Sequence, residues 1–118
     1  MSRWAPITVV ETPEFLTATR HIMDEEERGL LVDYIAHNPL AGALIPGTGG
    51  VRKLRWALEG RGKRGGARVV YYYHNDAVPI FALTAYAENE RADISQADRN
   101  DFRRLTALLV ENYASSGR

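Results

Sequence analysis

Val51-Arg52-Lys53-Leu54-Arg55-Trp56-Ala57-Leu58, Ala67-Arg68-Val69-Val70-Tyr71-Tyr72-Tyr73-His74 and Pro79-Ile80-Phe81-Ala82-Leu83-Thr84-Ala85-Tyr86-Ala87 are the three runs, spread over residues 51–87, that decide the fold. Each has the length of a strand, and together they are rich in β-branched and aromatic residues. The first two are joined by Glu59-Gly60-Arg61-Gly62-Lys63-Arg64-Gly65-Gly66, whose four glycines resist any regular element. Asn75-Asp76 between the last two is a tight-hairpin signal. The reading is an antiparallel meander.

Upstream, Leu44-Ile45-Pro46-Gly47-Thr48-Gly49-Gly50 is an apolar step into a glycine-rich turn. It is not a phosphate-binding loop, because it lacks the Gly-Lys-Ser/Thr ending and leads into a strand. Asp24 suits the N-cap of a helix carrying Leu30, Leu31, Tyr34 and Ile35 as one apolar stripe, and Asn38-Pro39 stops it. Before it, Thr12 as N-cap, Pro13 at the first helical position and Glu14 at the positive helix end predict a short helix to about His21. Ile7-Thr8-Val9-Val10, bounded by Pro6 and Pro13, reads as a strand. Downstream, Ser95 and Asp98 form a capping-box pattern opening a helix with Phe102, Leu105, Leu108, Leu109 and Asn112-Tyr113 on one side. Strand, two helices, three or four strands and a helix imply an α+β fold with helices packed on an antiparallel sheet.

The 118 residues suffice for one domain, residues 1–118, and not for two independent cores. With 45% apolar and 25% charged residues the composition is that of a folded domain. Without cysteine there is no disulfide framework, thiolate zinc site or thiol nucleophile, and a reducing compartment is expected. Met1 to Val10 has no signal-peptide pattern, and no stretch approaches the roughly 18 apolar residues of a membrane span, so a cytoplasmic location is expected.

Net charge is zero, yet its distribution is lopsided. Val51 to Val70 holds seven basic residues against the single acid Glu59, an excess of +6; the rest of the chain, with eight basic residues against fourteen acids, stands at −6. Such a strip suggests a local anion site rather than general adhesion to polyanions. Alternation along a strand puts Lys53 and Arg55 on one face and Leu54 and Trp56 on the other, against the helices. If the hairpin pairs as drawn, Arg68 joins Lys53 and Arg55 on that face.

Guanidinium forks and ammonium groups without an intervening carboxylate make a phosphate site. In RNA the 2′-hydroxyl attacks the neighbouring phosphate when a base takes its proton, the added negative charge is stabilised and an acid protonates the leaving 5′-oxygen. Clustered cations supply the second requirement. The same residues are also compatible with a solvated sheet face. Of Tyr71, Tyr72 and Tyr73, at least one should face the basic surface and the others the core; Tyr86, ending the last strand, fits stacking, proton transfer or edge packing. Trp4 and Trp56 read as structural. His21, His37 and His74 lack the spacing of a metal site, and no metal is expected.

The ordered run Gly47-Thr48-Gly49-Gly50-Val51-Arg52-Lys53-Leu54-Arg55-Trp56, followed by Gly60-Arg61-Gly62-Lys63-Arg64-Gly65-Gly66-Ala67-Arg68-Val69-Val70-Tyr71-Tyr72, resembles toxins of the RelE superfamily, closest to the HigB branch. The likeness continues through Leu83-Thr84-Ala85-Tyr86-Ala87-Glu88-Asn89-Glu90, and more weakly upstream through Glu11 to Phe15, Asp24 to Glu27 and Asn38-Pro39, covering most of the chain. The resemblance implies a RelE-like twisted antiparallel sheet with N-terminal helices and a C-terminal helix packed on it. It implies a type II toxin that cuts mRNA on the ribosome with no metal or other cofactor and so inhibits translation. A cognate HigA-like, DNA-binding antitoxin would neutralise it in a hetero-oligomer. Carried over position by position, Lys53 and Arg55 match the basic pair of the central strand, and Arg68 matches the arginine that contacts the scissile phosphate. Tyr86 completes this catalytic set, Arg52, Arg61, Lys63 and Arg64 would hold RNA or ribosomal RNA backbone, and Asn89 would flank the site.

Two positions depart from the pattern. Related toxins commonly carry lysine or arginine where this chain has Glu88, and Ile94 falls near the place of a C-terminal tyrosine. A carboxylate at 88 would repel phosphate if it faces the site, act as general base, mark a weakened enzyme, or point away into a salt bridge. Two other functions share the residues: a non-catalytic RNA- or protein-binding module, and a ParE-like toxin that inhibits DNA gyrase. The basic pair with the post-glycine arginine favours the nuclease over the gyrase inhibitor.

Overall fold

The computed structural model describes residues 5–58, 66–90 and 94–116. Helix α1 (Pro13–Arg20) begins as its sequence predicts, with the Thr12 hydroxyl accepting from the Phe15 N–H at 3.2 Å and Pro13 at the first position. The same hydroxyl donates to the Ala82 carbonyl at 2.8 Å, so one residue both starts the helix and pins it to the sheet. Helix α2 (Glu25–His37) is capped by Asp24, whose carboxylate accepts from Glu27 N at 2.8 Å, and it ends at Asn38 before Pro39. Its expected stripe splits. Leu31 and Ile35 are fully buried, while Leu30 and Tyr34 are 59% and 42% exposed. The helix presents only one edge of the stripe to the sheet, and Tyr34 turns instead onto Trp56, ring centroids 5.7 Å apart.

The sheet has five strands in the order β1-β5-β4-β3-β2, formed by β1 (Val9–Glu11), β2 (Ala43–Leu44), β3 (Val51–Ala57), β4 (Gly66–Tyr72) and β5 (Ile80–Ala87). β2 to β5 pair antiparallel, which establishes the meander and the α+β class. The edge differs from a wholly antiparallel sheet, because β1 runs parallel to β5 with Val9 opposite Ile80 and Glu11 opposite Ala82. β1 reaches this edge through a connection that contains both N-terminal helices, so no tight turn dictates its direction. It also starts later than Ile7. The Ile7 N–H is taken by the Ala36 carbonyl at 3.0 Å at the end of α2, leaving the ladder to begin beyond it.

The β4–β5 connection is also longer than a two-residue hairpin. The Asn75 side chain accepts from Ala77 N at 2.9 Å, and the Tyr73 hydroxyl donates to Asp76 at 2.6 Å, building a side-chain-braced turn that carries the chain to Ile80.

Each face of the sheet has its own core. α1 and α2 cover the face of Leu54, Val69, Tyr71 and Ala82 with Phe15, Leu31 and Ile35. On the other face, Val51, Val70, Tyr72, Phe81 and Leu83 lie against Phe102, Leu109 and Val110 of α3 (Gln96–Ser116). The Ser95–Asp98 capping box opens this helix, each residue's side chain accepting from the other's N–H at 3.1 and 3.3 Å. The expected apolar stripe is only partly used, since Leu105 and Leu108 are exposed while Thr106 is buried. Thr106 donates to the Thr48 carbonyl at 3.0 Å. The glycine turn is therefore a seat for α3. At Gly49 φ is +81°, and a Cβ there would lie 2.6 Å from the Thr106 hydroxyl oxygen, so backbone and packing both require glycine.

Candidate functional site

α3 covers only part of its face, and the strand register places the charged residues at the uncovered end. Arg55 stands opposite Arg68 across β3 and β4, and Arg68 stands opposite Tyr86 across β4 and β5. Strands lie about 4.8 Å apart and residues directly opposite share a face, so Arg55, Arg68 and Tyr86 form one row across three strands. Lys53, two residues back along β3, lies on the same face opposite Val70 and is half-buried. The structure thus brings together Lys53, Arg55, Arg68 and Tyr86. Arg55 is 69% exposed, Arg68 is half-buried, and Tyr86 is buried in the same apolar cluster as Ile94.

Two cations directly opposite each other repel. Here Glu88 lies between them. One of its oxygens accepts from Arg68 Nε at 2.7 Å and lies 3.3 Å from Arg55 Nε, while the other accepts from the Gly66 N–H at 3.1 Å. The backbone closes the arrangement, the Glu88 N–H donating to the Gly66 carbonyl at 3.1 Å. The Gly66 N–H, the Arg68 hydrogen bond and the charges of Arg55 and Arg68 hold the Glu88 carboxyl below the usual glutamate range against the opposing effect of burial. Glu88 therefore faces the site and forms salt bridges at once, two behaviours that its sequence position had offered as alternatives.

Gly66 is the contribution that sequence reasoning missed. A Cβ at this position would collide with the Trp56 carbonyl oxygen, so only glycine brings this N–H to the anion. The signal was the Gly65-Gly66 pair two residues before Arg68, read as a turn and not as a donor.

Other expected residues lie elsewhere. Arg52 alternates onto the opposite face, where its guanidinium donates to the Gly42 carbonyl at 2.7 Å and holds the turn before β2. It braces that turn and does not share the face of Lys53 and Arg55. Asn89 is exposed in the turn that follows Glu88. Arg61, Lys63 and Arg64, with Trp4, lie outside the described residues. Tyr72 has the face expected of one of the three tyrosines, yet it is buried among Val51, Phe81 and Val78, away from the row. Tyr71 points into the other core, donating to the Pro39 carbonyl and accepting from Gly42 N, both at 2.8 Å. Trp56 packs on that core and donates to Glu27 at 2.9 Å. His37 Nδ1 lies 2.9 Å from the Asp33 carbonyl, and His74 stacks on Tyr72. Among the described residues no three side chains of ligating type stand together to hold a metal ion. No helix among them is long and apolar enough to cross a membrane.

Chemically the row is an anion site. The Arg68 Nε and the Gly66 N–H donate to a single carboxylate with the Arg55 guanidinium in salt-bridge range, an arrangement of groups that suits a phosphate as well. A family model described as RelE toxin of the RelE/RelB toxin-antitoxin system matches residues 37–116, the segment that contains every residue of this row.

Proposed function

Because the chain belongs to the RelE toxin family of toxin-antitoxin systems, we propose that it is a ribosome-dependent mRNA endonuclease of the HigB branch, acting in the cytoplasm. The observation that carries the reading is the Arg55–Arg68–Tyr86 row with Lys53 beside it, at the end of the face that α3 leaves open.

In the proposed reaction the 2′-oxygen of one nucleotide bonds to the adjacent phosphorus as the 5′-oxygen leaves, giving a 2′,3′-cyclic phosphate and a 5′-hydroxyl. Arg55 and Arg68 stabilise the negative charge that grows on the phosphoryl oxygens. To Lys53 and Tyr86, which flank them, we assign the transfer of the proton from the 2′-hydroxyl and of one to the leaving oxygen. Arg61, Lys63 and Arg64, on the segment joining β3 to β4, supply backbone contacts to mRNA or ribosomal RNA, and Asn89 borders the site. A HigA-like antitoxin neutralises the toxin in a hetero-oligomer.

The test is induced expression with mapping of mRNA 5′ ends, comparing the native chain with Arg68→Ala and Lys53→Ala. New ends within translated regions, weakened by both substitutions, are expected. Growth arrest without new ends would remove the nuclease reading and favour a target such as gyrase. Undiminished cutting by Arg68→Ala would instead remove the site assignment.

A further inference from the structure

Three groups from two strands meet on Glu88: Arg55 of β3 as an ion pair, and Gly66 and Arg68 of β4 as hydrogen-bond donors. A carboxylate so placed does more than neutralise two arginines. Its two oxygens occupy the positions that two oxygens of a phosphate would need in order to take the same N–H groups. We infer that Glu88 is a built-in competitor for the phosphate, an autoinhibitory contact that must leave the arginine pair before a phosphate can enter.

The argument rests on accessibility as well as distance. The Glu88 side chain is 19% exposed and Arg55 is 69% exposed, so the anion lies at the surface and an incoming phosphate reaches it without opening the core. Glu88 follows the last residue of β5, and its exposed neighbours Asn89 and Glu90 belong to a turn. One side-chain rotation there swings the carboxylate to solvent without breaking the β4–β5 ladder. The row is thereby kept satisfied when empty, at the expense of weaker phosphate binding when substrate arrives. A carboxylate held by two donors and a second guanidinium charge is also poorly placed to accept a proton from a 2′-hydroxyl, which separates this role from that of a general base.

The inference rests on reading the row as a phosphate site, and its test does not depend on nuclease activity. Inorganic phosphate is titrated at pH 7 into native protein and into Glu88→Gln, following the Arg55 and Arg68 Nε–H resonances by NMR. Removing the competing charge should tighten phosphate binding about tenfold in Glu88→Gln. In the native protein the Glu88 carboxyl resonance should move with the same midpoint as the two arginines, since the two anions exchange. Equal or weaker binding by Glu88→Gln, or native arginine shifts that leave the Glu88 carboxyl unmoved, would overturn the competitor role. Tighter phosphate binding with no new mRNA ends on induction would keep the competitor and refute the nuclease. Cleavage that depends on Arg68, with phosphate affinity unchanged in Glu88→Gln, would do the reverse.

Discussion

Arg55 and Arg68 stand directly opposite each other across the β3–β4 ladder, and Glu88 bridges them through a single oxygen. The two are not equivalent. Arg68 is held at 2.7 Å on the middle strand of the row, whereas Arg55 is 3.3 Å away and largely exposed. Solvent weakens the contribution of the outer charge. Single-turnover cleavage of mRNA on programmed ribosomes should therefore fall by about 10² to 10³ in Arg68→Ala, as for loss of a preorganised transition-state donor. Arg55→Ala should cost only about tenfold, because its charge acts through water. The reverse order would mean that the substrate approaches from the β3 side.

Lys53 and Arg52 are chain neighbours with opposite expected consequences. Arg52→Ala removes a charged hydrogen bond to the Gly42 carbonyl and should lower stability by about 1–2 kcal/mol, read as a lower denaturant midpoint. Lys53→Ala, on the face shared with Arg55, should instead act chiefly on cleavage and reduce it. A pattern with the two exchanged would put the basic surface on the wrong face of the sheet.

That pair also shows what the sequence made legible. Alternation by two put Lys53 and Arg55 on one face in advance, and the pairing that brings Arg68 beside Arg55 followed from two strands flanking one glycine loop. The caps at Thr12, Asp24 and Ser95 were equally readable, because capping is local chemistry. What could not be read was set by distant contacts. The direction of β1 depends on where α1 and α2 return the chain, and the half-used stripes of α2 and α3 depend on how each helix rolls on the sheet. Glu88 was recognised as a departure, but its partners come from β3 and β4, twenty or more residues away. Arg52 was assigned to RNA by its match to the family pattern, whereas in the fold it lies on the face that supports the turn before β2.

The seat of α3 gives a prediction that separates backbone strain from crowding. Gly49→Ala must adopt φ near +81° and bring its Cβ within 2.6 Å of the Thr106 hydroxyl oxygen. The substitution should cost about 1–3 kcal/mol in thermal or denaturant unfolding. Thr106→Ala alone loses the hydrogen bond to the Thr48 carbonyl and should cost about 1 kcal/mol. In the double variant the collision disappears while the strained φ remains, so the combined loss should be smaller than the sum by at least about 0.5 kcal/mol. Strict additivity would mean that α3 shifts to avoid residue 49 and that the seat is not rigid.

Acid should remove the stabilisation that Glu88 gives the arginine row. The Glu88 carboxyl titrates below its ordinary value in the folded protein, because the Gly66 N–H, Arg68 and Arg55 all favour its charged form. With the folded value depressed, its contribution to stability is complete above the unfolded glutamate range and is lost as pH falls through the lower folded value. Stability curves of the native protein and of Glu88→Gln should therefore be separated at neutral pH and converge on the acid side. A constant separation down the acid limb would show that the carboxylate does not gain its stability from charge.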